Sequence, residues 1–332
     1  MMRNNVTDLF VVFAGIGAGL WLQDVVAELT EASGAKLLFG QAAIWSAVIA
    51  LTGLWLMRAR LAGLADRLAV RLEAGQAAPL DRRAQAGRGE RAAGAVFALG
   101  AAALTGLAIA DAGTFTGLFV EDGPFEYASA LLYFSAAAAC LMFAARARGR
   151  GRLRFWLAGL AGLFVFVGGE EISWGQRLVG FGTPEDLAAV NVQGEFTLHN
   201  VWSNSLFVYP GLSVTAMMLC VLPLLHRYNA PLRRLMDALE FPVAPPLAAG
   251  LYGFAVLCYA IAGLALGTPT PLPINWSDHL PHYDDELLEF LISALFAIHA
   301  AGFWRIALPA PDNARAAEAG PPASLSLKRD MR

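Results

Sequence analysis

The sequence predicts an all-α protein, a polytopic transmembrane bundle of about eight helices, and three observations lead to this prediction. Of the 332 residues, 57% are hydrophobic and only 15% are charged, whereas soluble domains carry roughly a quarter charged residues. Apolar runs close to the roughly 20 residues needed to cross a bilayer recur along the whole chain. The basic residues are segregated, because all of the 24 Lys and Arg except Lys36 and Arg177 fall on one side of the predicted spans.

The predicted spans alternate in direction, and their connections alternate in charge. They cover residues 8–28, 36–57, 92–112, 126–145, 155–174, 201–225, 243–266 and 286–307. The positive-inside rule places the arginine-rich connections and both termini in the cytoplasm. The acidic connections then lie at the outer face.

Residues 1–308 are predicted to form one transmembrane domain. The long cytoplasmic loop, about 58–91, is rich in Ala, Gly and Arg. It is compatible with an amphipathic helix on the inner leaflet or with a solvated loop. The segment 309–332, rich in Pro and Ala, is expected to be a disordered cytoplasmic tail.

A short motif that occurs twice suggests a parallel duplication of a four-helix unit. Residues 121–127 read E-D-G-P-F-E-Y before the fourth span, and residues 284–290 read D-D-E-L-L-E-F before the eighth. Four helices separate the copies, so both have the same orientation. Chance similarity is the alternative, because the match is short.

The densest group of polar side chains lies at the outer end of the fifth span, where residues 168–177 read G-G-E-E-I-S-W-G-Q-R. On a helix, Glu170, Trp174 and Arg177 would share one face, and Glu171 would reach Trp174 on the neighbouring stripe. Two adjacent carboxylates leaving an apolar run are costly unless they have partners, which makes them candidates for function. The alternative is a Glu–Arg pair beside a tryptophan that anchors the helix end.

The next outer segment adds a carboxylate and an imidazole. Glu195 and His199 are four residues apart, so on a helix they would face the same way and bind one metal ion or act as an acid/base pair. Asn200 and Asn204 continue this polar edge into the sixth span. A histidine that only forms a structural hydrogen bond is the alternative.

Further acids and a histidine flank the fourth and eighth spans. Glu126 and Glu289 lie about one turn inside these spans, where a carboxylate is costly. Asp122 and Asp285 are well placed as helix N-caps. His282 lies in the loop before the eighth span and would supply a nitrogen ligand or a proton relay.

Three other titratable residues have weaker claims to function. Asp111 lies near the outer end of the third span without a predicted partner. His299 lies deep in the eighth span, and we expect a neighbouring helix to satisfy it. His226 belongs to an arginine-rich connection and is expected to be structural.

The runs E-D-G-P-F-E-Y, G-E-E-I-S-W-G-Q-R and Q-G-E-F-T-L-H-N resemble motifs shared by a group of bacterial polytopic membrane proteins. The resemblance spans roughly residues 120–204 and implies a bacterial inner-membrane location, but no reaction. The positions that match the group's pattern are Glu126, Glu170, Glu171, Trp174, Gln176, Arg177, Glu195, His199 and Asn200.

A second resemblance covers a shorter stretch. The segment from Glu195 to Asn204 is similar to the Glu-Phe…Ser-Asn stretch of alkaline ceramidases. That similarity implies a metal-dependent lipid hydrolase. The sequence departs from those enzymes, because the three-histidine zinc pattern expected of them is missing.

Together these residues favour a membrane-embedded hydrolase or transferase that acts on a lipid or lipid-linked substrate at the outer face. The predicted metal ligands are Glu170, Glu195, His199 and Glu289. The predicted catalytic residues are Glu171, Arg177, Glu126 and His282. The cation would be Zn²⁺ or Mn²⁺ if histidine binds it, and Ca²⁺ or Mg²⁺ if only oxygens do. Arg177 would hold a substrate phosphate or carboxylate, with Trp174 packed beside it.

Two other classes of function stay open. A proton- or cation-coupled transporter would use the buried acids as carriers, although the inner halves of the spans offer few polar residues. A non-catalytic scaffold subunit would use the outer loops to bind a partner protein. Nucleic acid is not an expected partner, and the sequence has no nucleotide-binding loop and no serine nucleophile elbow.

Overall fold

The computed structural model describes residues 57–73, 87–120, 123–188, 191, 194–198, 208–267 and 283–303. Within these ranges every regular element is a helix, which confirms the all-α prediction for this part of the chain. Five of the described helices are long and apolar enough to cross a membrane, the defining property of an integral membrane protein. The predicted spans 8–28 and 36–57, apart from Met57, lie outside the described residues, as does the tail.

Twelve helical segments can be numbered along the described residues. They are α1 (57–73), α2 (Arg88–Ala110), α3 (Ala112–Leu118), α4 (Pro124–Arg146), α5 (Gly151–Glu171), α6 (Gln176–Val179), α7 (Glu185–Ala188), α8 (Val208–Ala216), α9 (Leu222–Tyr228), α10 (Ala230–Ala238), α11 (Pro246–Leu266) and α12 (Tyr283–Gly302). A 3-10 turn, Ser173–Gly175, precedes α6, and a π-helical turn, Met217–Val221, joins α8 to α9.

The long helices agree with the predicted spans to within a few residues, and the sixth span differs most. It was predicted over 201–225, but its described part runs through α8 and α9 to Tyr228 and contains the π-helical turn. Pro223 lies two residues beyond that turn and has no N–H to donate to the carbonyl of Leu219. The missing donor disturbs the α-helical hydrogen-bond ladder at this point, where a wider turn is tolerated.

α12 differs in composition from the five membrane-compatible helices. Its first two turns hold four acids, Asp284, Asp285, Glu286 and Glu289. It nevertheless packs against α4, α11 and α2, and Leu287 and Leu291 are fully buried. The eighth predicted span is therefore a helix of the bundle that carries acids at one end.

α4 lies between α5 and α12, while α2 packs along α11. Buried alanines, among them Ala136 on α4 and Ala255 on α11, let the helix backbones approach closely. Phenylalanines fill the wider spaces, and the rings of Phe164 and Phe296 lie 5.1 Å apart between centroids. This packing aligns α4 and α12 so that both begin at the same end of the bundle as the last turn of α5, which we call the acidic end.

The opposite end, which we call the arginine-rich end, is closed by a buried ion pair. Arg150 Nη1 lies 2.6 Å from Glu240 Oε1, and both side chains are more than nine-tenths buried. The other oxygen of Glu240 accepts a hydrogen bond of 3.1 Å from the backbone N–H of Leu153, in the first turn of α5. A residue from the α10–α11 connection thus caps α5 and neutralises its flanking arginine.

α1 and α10 lie beside this closure. Arg234 donates two hydrogen bonds to the carboxylate of Glu73, and Arg152 Nη1 donates to the carbonyls of Leu72 and Ala238. Residues 57–73 are helical and residues from Arg88 onward belong to α2. The helical conformation of 57–73 agrees with the helical interpretation of the 58–91 segment, and its location on the inner leaflet stays a prediction.

Candidate functional site

The end of α5 folds back on itself through a left-handed turn. The helix stops at Glu171, and Ser173, Trp174 and Gly175 then adopt φ values of 47°, 53° and 79°. Positive φ is costly for Ser and Trp, so surrounding contacts must hold the turn. The prediction that Glu170, Trp174 and Arg177 share the face of one continuous helix is therefore wrong.

Gly169 is the position that makes this fold-back sterically feasible. A Cβ atom at Gly169 would lie 3.0 Å from two ring carbons of Trp174. The indole therefore rests directly on the glycine backbone of α5. From there Trp174 Nε1 donates a hydrogen bond of 2.6 Å to Glu170 Oε1.

Glu170 links the end of α5 to the loop at 194–198. Its Oε2 accepts a hydrogen bond of 2.7 Å from the backbone N–H of Leu198, and its side chain is buried. Both oxygens of Glu170 thus accept hydrogen bonds from the protein. A buried carboxylate is stabilised by such donors, so these contacts account for Glu170 at the bundle end.

Glu195 forms the second link between the two segments. Its Oε2 accepts a hydrogen bond of 2.6 Å from Ser173 Oγ, and its Oε1 forms an ion pair with Nη2 of Arg177. Arg177 is therefore paired with Glu195. Because residues 194–198 are not helical, the spacing argument that placed Glu195 and His199 on one helix face fails.

Further polar residues, most of them not candidates from the sequence, complete this network. Asn191 Nδ2 donates to the carbonyl and hydroxyl oxygens of Thr197 at 3.0 and 3.1 Å. Gln176 Nε2 donates to Thr183 Oγ1 at 2.7 Å, and its Oε1 accepts from the backbone N–H of Phe196 at 2.7 Å. Gln176 was part of the resembled motif, whereas Thr183 carries no signal that distinguishes it from other loop threonines.

Glu171 belongs to a different group, on the α4 and α12 side of α5. Its carboxylate is partly buried and lies within electrostatic range of Glu286 on α12 and Glu126 in the first turn of α4. The buried Tyr133 lies further along α4 than Glu126 and within electrostatic range of Glu171 and Glu289. Three helices therefore bring carboxylates together at the acidic end, and we call Glu171, Glu126 and Glu286 the carboxylate cluster.

Close packing of α4 against α5 fixes the position of Glu171. A Cβ atom at Gly168 would lie 3.1 Å from both Tyr133 Cβ and Phe134 Cε1. Glu171 follows one turn later and so stays close to the start of α4. On the other side of α4, Phe125 meets Phe290 of α12 edge to face at 4.7 Å.

The metal-site prediction remains a prediction. No group of three or more His, Cys, Asp or Glu suited to a metal ion occurs among the residues that the structure describes. Two proposed ligands, Glu170 and Glu195, already accept hydrogen bonds on both oxygens. The histidines His199 and His282 lie outside the described residues.

The three weaker candidates have structural partners. Asp111 caps α3, because its Oδ1 and Oδ2 accept hydrogen bonds from the N–H and the hydroxyl of Thr114 at 3.0 and 2.6 Å. These bonds lower the pKa of Asp111. His299 is buried and lies close to the backbone of Pro242, and His226 Nε2 lies 2.9 Å from Asp237 Oδ1.

No protein-family model matches this chain, and neither a curated protein nor a solved structure is found to be similar to it. The resemblances drawn from its motifs therefore remain predictions, and the geometry of the described residues carries the functional interpretation.

Proposed function

We propose that this chain is a membrane-embedded hydrolase or transferase of the bacterial inner membrane, with Glu171 as its acid/base group. Its substrate would be a lipid or lipid-linked molecule at the outer face. The proposal includes about eight spanning helices, with both termini in the cytoplasm. Support for this orientation comes from the arginines, which gather at the end closed by Arg150 and Glu240, whereas Glu171 lies at the other end.

The observation that carries the proposal is the separation of the acids into two groups. Glu170 and Glu195 are engaged in hydrogen bonds that hold the loop. In the carboxylate cluster, Glu286 and Glu126 lie within electrostatic range of Glu171. Such a group relieves its repulsion by taking up a proton or a cation, which are the properties that acid/base catalysis and metal binding require.

Arg177 is well suited to binding an anionic group of the substrate. Arg177 Nη2 forms an ion pair with Glu195 Oε1, and two-fifths of the arginine side chain is exposed. A guanidinium presents five N–H donors in a planar fork, a geometry that suits the oxygens of a phosphate or carboxylate. In this proposal Glu195 and Ser173 orient the arginine, and Trp174 packs at the end of α5 close to it.

Glu126 and His282 would assist Glu171. Glu126 lies in the first turn of α4 and interacts electrostatically with Glu171. His282 directly precedes α12, the helix that carries Glu286. If a divalent metal takes part, these residues together with Glu289 would be its nearest candidates for ligands, and the metal would activate a water molecule or polarise a substrate oxygen.

The core beneath the carboxylate cluster favours an enzyme over a proton or cation carrier. The rings of Tyr133, Phe164 and Phe296 pack together there, with centroids 5.1 to 6.3 Å apart. A carrier needs a polar route through the membrane, and this aromatic layer lies between Glu171 and the arginine-rich end. An enzyme site at the membrane surface needs no polar route, so it is compatible with the aromatic layer.

The experiment is lipid analysis of the purified protein in nanodiscs made from a bacterial polar lipid extract. Wild type, Glu171→Gln and Glu185→Gln would be incubated with Mg²⁺, Mn²⁺, Ca²⁺ or Zn²⁺ and without metal, and lipids would be identified by mass spectrometry. Glu185 is the matched control because it is an exposed acid on the same side of the molecule. We expect a lipid to be consumed by wild type and Glu185→Gln only. Equal turnover by Glu171→Gln, or no turnover by wild type, counts against the proposal.

A further inference from the structure

A lipid-facing groove lies near the arginine-rich end, between the last turns of α4 and the first turns of α5. Its volume is about 480 Å³, and its lining includes Leu141, Ala144, Arg154, Phe155 and Ala158. This volume falls within the range of ordinary small-molecule sites. The groove lies at the opposite end from the carboxylate cluster, so nothing in the proposed reaction accounts for it.

Small residues create the depression, and larger apolar residues wall it. Ala144 and Ala158 lie in the lining, whereas Leu141 and Phe155 are 53% and 69% exposed. An acyl chain would contact these side chains along the groove without displacing any helix. The shape and the apolar lining therefore fit a hydrocarbon chain.

Arg154 places a positive charge at the mouth of the groove. Within the part of the chain that the structure describes, the guanidinium of Arg154 forms neither a hydrogen bond nor an ion pair, and the side chain is exposed. The nearby acid Glu240 pairs with Arg150. Arg148 in the connecting turn is also exposed. The polar end of the groove is thus positive, and a phosphate would complement it.

We propose that this groove binds one anionic phospholipid from the leaflet on the arginine-rich side, with an acyl chain on Leu141 and Phe155 and the phosphate on Arg154. α4 ends at Arg146 and α5 begins at Gly151, so the groove lies where an apolar span meets a polar turn. Basic pockets between membrane helices bind anionic headgroups at this depth. The inference does not depend on the chemistry proposed for Glu171.

Native mass spectrometry of the detergent-purified full chain tests the proposal. The protein would be titrated with phosphatidylglycerol or with phosphatidylcholine carrying the same acyl chains. Wild type is expected to bind one phosphatidylglycerol more tightly than phosphatidylcholine. Replacing Arg154 with Gln should weaken phosphatidylglycerol binding about fivefold, the effect of one basic residue near an anionic headgroup.

Matched variants separate the groove from general lipid adhesion. Ala158→Phe should fill the groove and weaken both lipids, whereas Ala102→Phe places the same ring on an exposed position of α2 and should change neither. Arg233→Gln removes an exposed arginine of α10 and should leave binding unchanged. Equal binding of the two lipids by wild type overturns the proposal. Equal effects of Arg154→Gln and Arg233→Gln, or unchanged binding by Ala158→Phe, overturn it as well.

Discussion

Removing the Glu240 carboxylate should destabilise the arginine-rich end strongly. In Glu240→Ala, Arg150 Nη1 loses the carboxylate that lies 2.6 Å away. The arginine side chain is only 7% exposed, so water does not replace that carboxylate readily. Leu153 loses its capping acceptor at the same time. Removing one partner of a buried ion pair costs about 3–5 kcal/mol, and a lost helix cap costs about 1 kcal/mol. The φ of 55° at residue 240 is unfavourable for Ala as for Glu, so the substitution relieves no backbone strain.

These magnitudes correspond to a fall of about 8–24 °C in the apparent Tm, if each kcal/mol shifts Tm by about 2–4 °C. Thermal unfolding of the detergent-purified protein, followed by tryptophan fluorescence, measures the change. Glu73→Ala is the matched control, because Glu73 forms an ion pair at the same end but is 40% exposed. We expect little change in the Tm of that variant.

A double-mutant cycle decides whether the buried charge is the cause. Replacing both partners, as Arg150→Met/Glu240→Ala, removes both buried charges and should cost less than the sum of Arg150→Met and Glu240→Ala measured singly. The reasoning fails if Glu240→Ala unfolds at the wild-type temperature. It also fails if the double variant loses the sum of the two single losses.

Three further predictions concern the acidic end. Gly169→Ala should cost about 1–3 kcal/mol by overpacking against Trp174 and should change Trp174 fluorescence. The control is Gly159→Ala on the same helix, which has open space at its Cβ and should be neutral. Equal effects of the two substitutions would refute the fold-back. Asn191→Ala should cost about 1–3 kcal/mol, because it leaves the carbonyl and hydroxyl oxygens of the buried Thr197 without the donor Asn191 Nδ2. Limited proteolysis should then cut near residue 190 faster than in wild type. Hydrogen bonds from Thr114 lower the pKa of Asp111 below its ordinary value of 3.8. The cap on α3 should therefore stabilise the fold above pH 4 and be lost as the pH falls further; Asp111→Asn should remove that pH dependence of Tm.

The long helices were predictable because hydropathy and length decide them locally. α2, α4, α5 and α11 lie within a few residues of their predicted bounds. Their ends were less predictable where a distant residue acts on them. Glu240 caps α5 from 87 residues away along the chain, and no local pattern marks one acid within an arginine-rich segment.

In the candidate site, too, local contacts were predictable from the sequence and contacts that depend on the tertiary fold were not. The sequence singled out Glu170, Trp174 and Arg177, and a Glu170–Trp174 contact exists. It is made by a left-handed turn, because Gly169 and Gly175 permit a chain reversal that helical spacing does not anticipate. The pairing of Arg177 with Glu195 depends on the tertiary fold of the 172–198 loop. The separation of Glu171 from Glu170 was likewise invisible, because adjacent residues leave a helix on different sides.

The central claim, that Glu171 is the reactive carboxyl group of the acidic end, is tested most directly by carbodiimide labelling. Dicyclohexylcarbodiimide adds to protonated carboxyl groups in apolar surroundings, and peptide mass spectrometry locates the adduct. The protein would be labelled in nanodiscs with a chelator present, so that no divalent cation occupies the carboxylate cluster. We expect labelling at Glu171 and none at Glu170 or Glu195, whose oxygens accept hydrogen bonds. Labelling of Glu170 or Glu195 with Glu171 unmodified would contradict the account.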